Sequence, residues 1–193
     1  MNRRTEFSRL INDPSAALAD NDPALRRVAV AAAQSHPGLW DVLRSMLATD
    51  PDPLVRRECA EVLGRSGADV LAAIELALHD EAPVVREAAT TALGEIASPA
   101  TVEDLTAIAT DDDEDKLVRE AAVAALGAIG DDRAVPTLFG LIEDGPPQIR
   151  RRCVPALSVF DGAEVEAALR RAAGDRNPMV REAAEMVVGR AAD

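Results

Sequence analysis

The chain has 193 residues, 48% of them hydrophobic, which is ample for a buried core and argues against disorder. The apolar residues are chiefly Ala, Leu and Val, with one Trp, three Phe and no Tyr, a profile typical of closely packed helices rather than sheets. A net charge of −13 argues against a nucleic-acid partner, because binding to a phosphate backbone depends on many Lys and Arg contacts.

The N-terminal segment, residues 1–19, is predicted to cap the fold, with Phe7 packing a capping helix onto the rest. It has no apolar run long enough for a signal peptide, and no later stretch reaches transmembrane length. We therefore expect a cytoplasmic protein without direct membrane insertion. Cys59 and Cys153 lie far apart in helix-patterned segments, which fits a reducing compartment better than a disulfide framework or a zinc ligand pair.

From the end of this segment onward, an apolar residue followed by Arg recurs along the chain. We call these marker arginines; they are Arg26, Arg56, Arg86, Arg119, Arg150 and Arg181. The intervals between them are 30, 30, 33, 31 and 31 residues, which indicates an internal repeat. The predicted repeats cover about residues 20–50, 51–80, 81–111, 112–144, 145–175 and a truncated 176–193.

Each predicted repeat opens with a turn rich in Asp, Asn and Pro, as at Asn21 to Pro23 and Pro51 to Pro53. Asp or Asn can cap free N–H groups and Pro is tolerated in the first helical turn, so a first helix is predicted to start there. Seven residues after the marker arginine comes Leu or Val, often followed by Gly. These glycines would let neighbouring helices approach closely; they are Gly64, Gly94, Gly127 and Gly189.

A second helix is predicted from apolar residues spaced by three and four, such as Val135, Leu138 and Ile142. This spacing makes one apolar stripe per helix. A pair of short helices cannot bury such stripes alone, so neighbouring pairs must stack into a continuous core. The predicted fold class is all-α: a single α-solenoid of about six helix pairs over residues 1–193.

The segments VREAATTALGEI and LVREAAVAALGAIGDDRAVPTLFGLIED resemble bacterial HEAT repeats related to phycobilisome-lyase HEAT modules, and the resemblance covers about Asp20 to Ala191. It implies a right-handed solenoid with first helices on the convex side and second helices on the concave side. It also implies that three Asp–Arg pairs belong to an inter-repeat hydrogen-bonding ladder without a functional role. The aspartates are Asp22, Asp52 and Asp115, each four residues before a marker arginine.

The sequence offers no convincing catalytic or metal-binding set. HEAT-like deoxyhypusine hydroxylases carry His-Glu pairs that bind iron, whereas the matching places here hold Arg-Glu pairs such as Arg119-Glu120. The acidic run from Asp111 to Asp115 lacks an EF-hand pattern and is interpreted as a solvated loop, with a weak cation site as the alternative. We therefore predict no enzyme activity, no catalytic residue, no metal and no cofactor.

A candidate binding face follows from the second helices. Phe139 stands where the matching residues are Arg44, Glu75, Thr106 and Arg170, and one position further on Leu76 is the large apolar member of its column. The register favours a core position for Trp40 and Phe160, whereas for Phe139 a binding surface and inter-repeat packing are equally supported. The predicted protein-binding residues are Arg44, Glu75, Leu76, Glu103, Thr106, Phe139, Glu143 and Arg170.

Charge is uneven along the chain, and this bears on the partner. Residues Ser98 to Asp144 hold twelve acidic and three basic residues, a net charge of −9, which would steer a basic segment of a protein partner toward them. The sequence thus predicts a non-catalytic adaptor or scaffold in a larger complex. By resemblance to lyase-type repeats, an assembly or maturation factor for a cofactor-containing enzyme is the alternative, and it stays open here.

Overall fold

A computed structural model describes residues 11–66 and 69–189. Residues 1–10, and with them the predicted packing of Phe7, lie outside the described residues. The described part of the chain is helical and contains no strand, so the all-α prediction is confirmed. The chain divides into two compact units, residues 1–96 and 97–193, called unit 1 and unit 2.

Unit 1 is built from paired helices joined by short turns. Its helices are α1 (Pro23–Ala33), α2 (Trp40–Thr49), α3 (Pro53–Gly64), α4 (Leu71–Ala77) and α5 (Pro83–Ile96), with 3-10 turns at Ala17–Ala19 and Pro37–Leu39. The first helices α1, α3 and α5 pack on one another in sequence order. The second helices α2 and α4 each pack on the first helix that follows them, which closes the core between successive pairs.

Unit 2 repeats this plan. Its helices are α6 (Val102–Thr110), α7 (Lys116–Ile129), α8 (Val135–Asp144), α9 (Pro147–Leu157), α10 (Ala163–Ala172) and α11 (Pro178–Val188), with 3-10 turns at Pro99–Thr101 and Asp132–Ala134. First helices α7, α9 and α11 pack in order, and second helices α6, α8 and α10 pack on the first helix after each. None of the helices in the described ranges is long and apolar enough to cross a membrane.

The core follows the apolar columns that the repeat predicts. The residue before the marker arginine is at most 2% exposed at Val55, Val85, Val118, Ile149 and Val180. Leu25 differs, being 44% exposed. Among the described residues before α1, the short 3-10 turn Ala17–Ala19 packs against it.

Two of the predicted glycine positions are close helix contacts. A Cβ atom on Gly64 would lie 2.5 Å from the Cβ of Ala92, and one on Gly127 would lie 2.6 Å from the Cα of Ala156. These first helices therefore approach more closely than a side chain allows. Gly189 differs, because it follows α11, and a Cβ there would meet no described atom within 4 Å.

The predicted aspartate partners of the marker arginines are wrong. Asp22, Asp52 and Asp115 are helix N-caps, whose carboxylates accept hydrogen bonds from the backbone N–H two residues on. A capping carboxylate is turned into its own helix, and three of the marker arginines pair with other acids. They form two-point pairs, with both bonds at 2.7–2.8 Å; the pairs are Arg26–Asp50, Arg56–Asp80 and Arg150–Asp175.

Arg119 is satisfied differently, by the acidic loop that precedes its own helix. Its Nη1 lies 2.8 Å from Oδ1 of Asp112, and its Nε donates to the backbone carbonyl of Ala109 at 3.2 Å. The Asp112 side chain is nevertheless 90% exposed. The Asp111 to Asp115 loop is therefore a solvated turn that also supplies the counter-charge of a buried arginine.

Candidate protein-binding groove

Unit 2 has a groove of about 600 Å³ where helices α8 and α10 begin. Its apolar wall is formed by Val135, Phe139, Phe160 and Val165. Three acidic residues, Asp132, Asp161 and Glu164, also line it. The volume lies in the range of about 300–1,000 Å³ in which proteins commonly bind small molecules or side chains.

The local sequence explains how the two phenylalanines reach this groove. Phe139 lies in the second turn of α8, whose start is fixed by Pro136 in the first turn. It is half-buried, with part of the side chain left accessible. Phe160 follows α9 and is 9% exposed, which confirms it as a core residue, although one edge lines the groove.

The turn between Phe160 and α10 needs a glycine. Gly162 has a φ of 134°, a backbone conformation that L side chains rarely adopt. A Cβ atom there would meet nothing within 4 Å, so the backbone angle and not crowding sets the requirement. The glycine turns the chain directly into α10 and leaves the mouth of the groove free of a side chain at this position.

The carboxylates at the groove have no positively charged partner among the described residues. Asp132, Asp161 and Glu164 are exposed, and none of them forms a side-chain hydrogen bond or ion pair within the described residues. None of the described residues that line the groove is basic. By contrast, the neighbouring Asp131 is bound by Arg133, whose hydrogen bonds hold the pKa of that carboxyl below its usual range. The groove therefore presents uncompensated negative charge beside an apolar wall.

Of the predicted binding residues, Phe139 is the one placed in this groove. Four others belong to unit 2 but do not line it: Glu103, Thr106, Glu143 and Arg170. The three charged ones form surface ion pairs with Arg133 at 3.8 Å, Arg171 at 2.8 Å and Glu166 at 2.9 Å, respectively. Thr106 is half-buried in α6.

The remaining predicted residues lie in unit 1. Leu76 is 73% exposed on α4, and Glu75 beside it is half-buried. Arg44 binds the exposed carboxylate of Asp41 at 2.6 Å. The predicted apolar spot shared by Leu76 and Phe139 joins residues of different units and stays a prediction.

Sequence reasoning missed the acidic side of the groove. Asp161 and Glu164 stand at the start of a helix, where acidic residues usually stabilise the free N–H groups, so nothing in the pattern marks them as binding residues. The available signal was the run Phe160-Asp161-Gly162, in which an aromatic residue, an acid and a turn glycine precede a second helix. The groove arises because this turn lies beside the start of α8.

Neither cysteine is available for chemistry at the surface. Both are free and buried. Burial raises the pKa of the Cys153 thiol to about 12, and burial, aided by the charges of Asp50 and Glu58, raises that of Cys59 further. Within the described ranges no group of three or more His, Cys, Asp or Glu side chains is arranged to hold a metal ion.

Trp40, for which the register favours a core position, is half-buried at the start of α2. Its indole Nε1 is buried and has no hydrogen-bond partner among the described atoms. Its ring therefore belongs partly to the core of unit 1, and it does not contribute to the groove of unit 2.

Helix pairs that stack through recurring apolar columns, with an arginine in each first helix and side-chain caps at the starts of α1, α3, α7 and α11, define an α-helical repeat protein. The chain matches the family model for HEAT repeats over residues 13–74 and 70–158, and it belongs to this family. The resemblance predicted from the sequence is confirmed. No match was found in a comparison with curated protein sequences.

Solved structures support the same fold. The X-ray structure of the Escherichia coli protein YibA is similar with a TM-score of 0.70 and 20% identity, over 97% of this chain and 74% of that one. The complex of CpcE and CpcF of phycocyanin lyase from Nostoc sp. PCC7120 is similar with a TM-score of 0.65 and 23% identity, over 88% of this chain and 72% of that one. At these identities the likeness is one of fold.

Proposed function

We propose that this chain is a non-catalytic adaptor or scaffold that binds a protein partner through the second-helix side of unit 2, with the groove at Phe139 as its centre. The observation that carries the proposal is a half-buried phenylalanine beside three unpaired carboxylates, at a position where matching residues are polar. Partly buried aromatic anchors commonly carry much of the binding energy of a protein interface. HEAT repeats provide the extended surface around such an anchor.

The rival function, an assembly or maturation factor of the lyase type, has less support. The likeness to the CpcE and CpcF complex concerns the fold. A covalent relay would need a reactive thiolate, whereas Cys59 and Cys153 are buried with raised pKa values. A role that depends on surface recognition accounts for the groove without requiring either thiol.

Site-specific photo-crosslinking in lysate of the source organism tests the proposal. A photoreactive amino acid at Ala163, which is exposed at the groove, is expected to give a discrete protein adduct. The same group at Gln148, exposed on first helix α9 of the same unit, is the matched control. Adducts from Gln148 alone would place the interface on the first-helix side and overturn the proposal.

Truncation of the anchor gives a second, quantitative test. Phe139→Ala is expected to weaken partner binding by more than about 1–2 kcal/mol, as for other aromatic anchors. Val159→Ala is the control, because Val159 is 57% exposed near the groove but does not line it. Titration of the purified partner into each variant measures the effect, and equal affinity for the two variants would argue against the groove.

Charges around the groove should act mainly on association rate. Glu103→Lys and Glu143→Lys reverse exposed charges that lie outside the groove. Because such charges steer encounter more than they hold a docked state, both changes are expected to slow association with a basic partner segment and reduce its salt dependence, with little change in dissociation. Stopped-flow or surface-binding kinetics with the identified partner would measure both rates.

A further inference from the structure

We infer that the groove between the starts of α8 and α10 binds the guanidinium side chain of an arginine in an extended segment of the partner. This inference rests on the proposed function and makes it more specific, because it names the chemical group that occupies the groove. The wall of the groove, its charges and its shape all fit this group.

The wall suits a flat cation. Phe139 and Phe160 both contribute to it, and the part of Phe139 that is not buried remains accessible from the groove. A guanidinium is planar and weakly hydrated, so it stacks on an aromatic face while its aliphatic stem contacts apolar side chains. Val135 and Val165 supply apolar surface of the kind such a stem covers.

The charges favour the same occupant. Asp132, Asp161 and Glu164 come from the two sides of the groove, the first from the turn before α8 and the others from the turn and first residues of α10. A guanidinium offers five N–H donors in a fixed fork, which can serve more than one carboxylate at once. Because no described lining residue is basic, an incoming cation would replace no existing ion pair.

The same features reject other classes of ligand. An anion such as a phosphate would meet three uncompensated carboxylates and no donor side chain of a basic residue. A purely apolar side chain would leave the carboxylates without a partner and would draw them closer to apolar surface, which costs free energy. The open groove of about 600 Å³ also leaves room for the backbone on either side of one side chain.

The test uses the full chain labelled with ¹⁵N and a synthetic probe, acetyl-Ala-Arg-Ala-amide. The matched probe carries citrulline, which has nearly the same shape as arginine but no charge. Amide resonances of residues 132–135, 137–139 and 160–165 are expected to shift saturably with the arginine probe. We expect binding at least about tenfold weaker with citrulline, since charge-assisted hydrogen bonds are about twice as strong as neutral ones.

Two variants localise the effect. Asp161→Asn combined with Glu164→Gln removes two of the carboxylates and is expected to erase the preference for arginine over citrulline. Glu166→Gln, a change of an exposed acid on the same helix outside the groove, is expected to keep it. Thermal melting of each variant separates loss of binding from loss of fold, because Glu164 also stabilises the first turn of α10.

The outcomes separate this inference from the proposed function. Equal shifts with both probes, or shifts confined to other parts of the chain, would overturn the arginine site. If crosslinking at Ala163 still captures a partner in that case, the adaptor proposal stands and only the identity of the bound group is wrong. If the arginine probe binds in the groove but no partner crosslinks there, the adaptor proposal fails and the site remains.

Discussion

Arg56 donates a hydrogen bond of 2.9 Å from Nη1 to the backbone carbonyl of Asp50. The carboxylate of the same Asp50 accepts both hydrogen bonds of the Arg26 pair. One aspartate is therefore shared by arginines of two consecutive first helices, through its side chain on one side and its main chain on the other. Asp175 has the same double role toward Arg150 and Arg181.

Loss of such a shared acid should destabilise the fold strongly. Asp175→Ala leaves Arg150, which is 2% exposed, without its carboxylate, and breaking a buried pair in this way costs about 3–5 kcal/mol. Glu166→Ala, which breaks the exposed Arg170 pair, is the control and should cost less than about 1 kcal/mol. Urea unfolding followed by circular dichroism measures both; similar midpoints would show that the Arg150 pair contributes little.

The same pairs predict how stability depends on pH. The Arg150 guanidinium, helped by the backbone N–H of Asn177, holds the pKa of Asp175 below its ordinary value of about 3.9 despite partial burial. A carboxyl with a lowered folded pKa stabilises the protein above its unfolded pKa, and this contribution is lost as pH falls through the folded value. Unfolding free energy should therefore fall below about pH 4.

Asp175→Asn provides the control for this pH dependence. The asparagine does not titrate, so the variant should be less stable at neutral pH and lose less further stability on acidification than the parent chain. Unfolding midpoints measured at neutral pH and in acid would give both differences. An identical slope for the variant and the parent would assign the acid sensitivity to other carboxylates, such as Asp50 and Asp80, whose pKa values are also lowered.

The close approach at Gly127 predicts opposite effects for two Gly→Ala changes. Gly127→Ala would place a Cβ 2.6 Å from backbone of the next first helix, and such overpacking costs about 1–3 kcal/mol. Gly140→Ala lies in α8 with nothing within 4 Å of the new atom, and should stabilise by about 0.5–1 kcal/mol through helix propensity. Thermal melts of the two variants check the signs, and stabilisation by Gly127→Ala would contradict the helix spacing.

The two thiols should react only after the chain unfolds. Burial raises the pKa values of Cys59 and Cys153, and a buried neutral thiol reacts slowly with a disulfide reagent. We expect no rapid modification of the native protein at mildly alkaline pH, and two reactive thiols after unfolding in guanidinium chloride. If one thiol of the folded chain reacted rapidly with the disulfide reagent, the first helix that carries it would have to open locally.

The sequence predicted the helices and their core because their signals are periodic. Val55, Val118 and Ile149 recur with the marker arginines, and each is buried as that recurrence requires. The partners of those arginines were not predictable in the same way, because Asp22 and Asp50 both precede helices and only the direction of each carboxylate separates a cap from an ion pair.

Only part of the groove could be predicted from the sequence. The sequence predicts Phe139 as a binding residue because the matching residues of the other second helices are polar. Its companions Asp132 and Asp161 lie in two separate turns at positions that do not match in the repeat, three residues before Val135 and four before Val165, so the repeat pattern cannot bring them together. Their proximity depends on how two turns pack, which is a property of the assembled unit.

The double use of Asp50 and Asp80 also bears on how such an array can change in length. The backbone carbonyl of Asp50 accepts a hydrogen bond from Arg56, six residues later in the sequence. The backbone carbonyl of Asp80 accepts one from Arg86 at the same interval. Removal of residues 51–80 would therefore leave Arg86 six positions beyond Asp50, with Arg26 still opposite its carboxylate. Gain or loss of this 30-residue block would therefore restore the same contacts between the aspartate and the arginines on either side of it. Each shared aspartate is thus a position at which the protein can become longer or shorter in evolution without losing these hydrogen bonds.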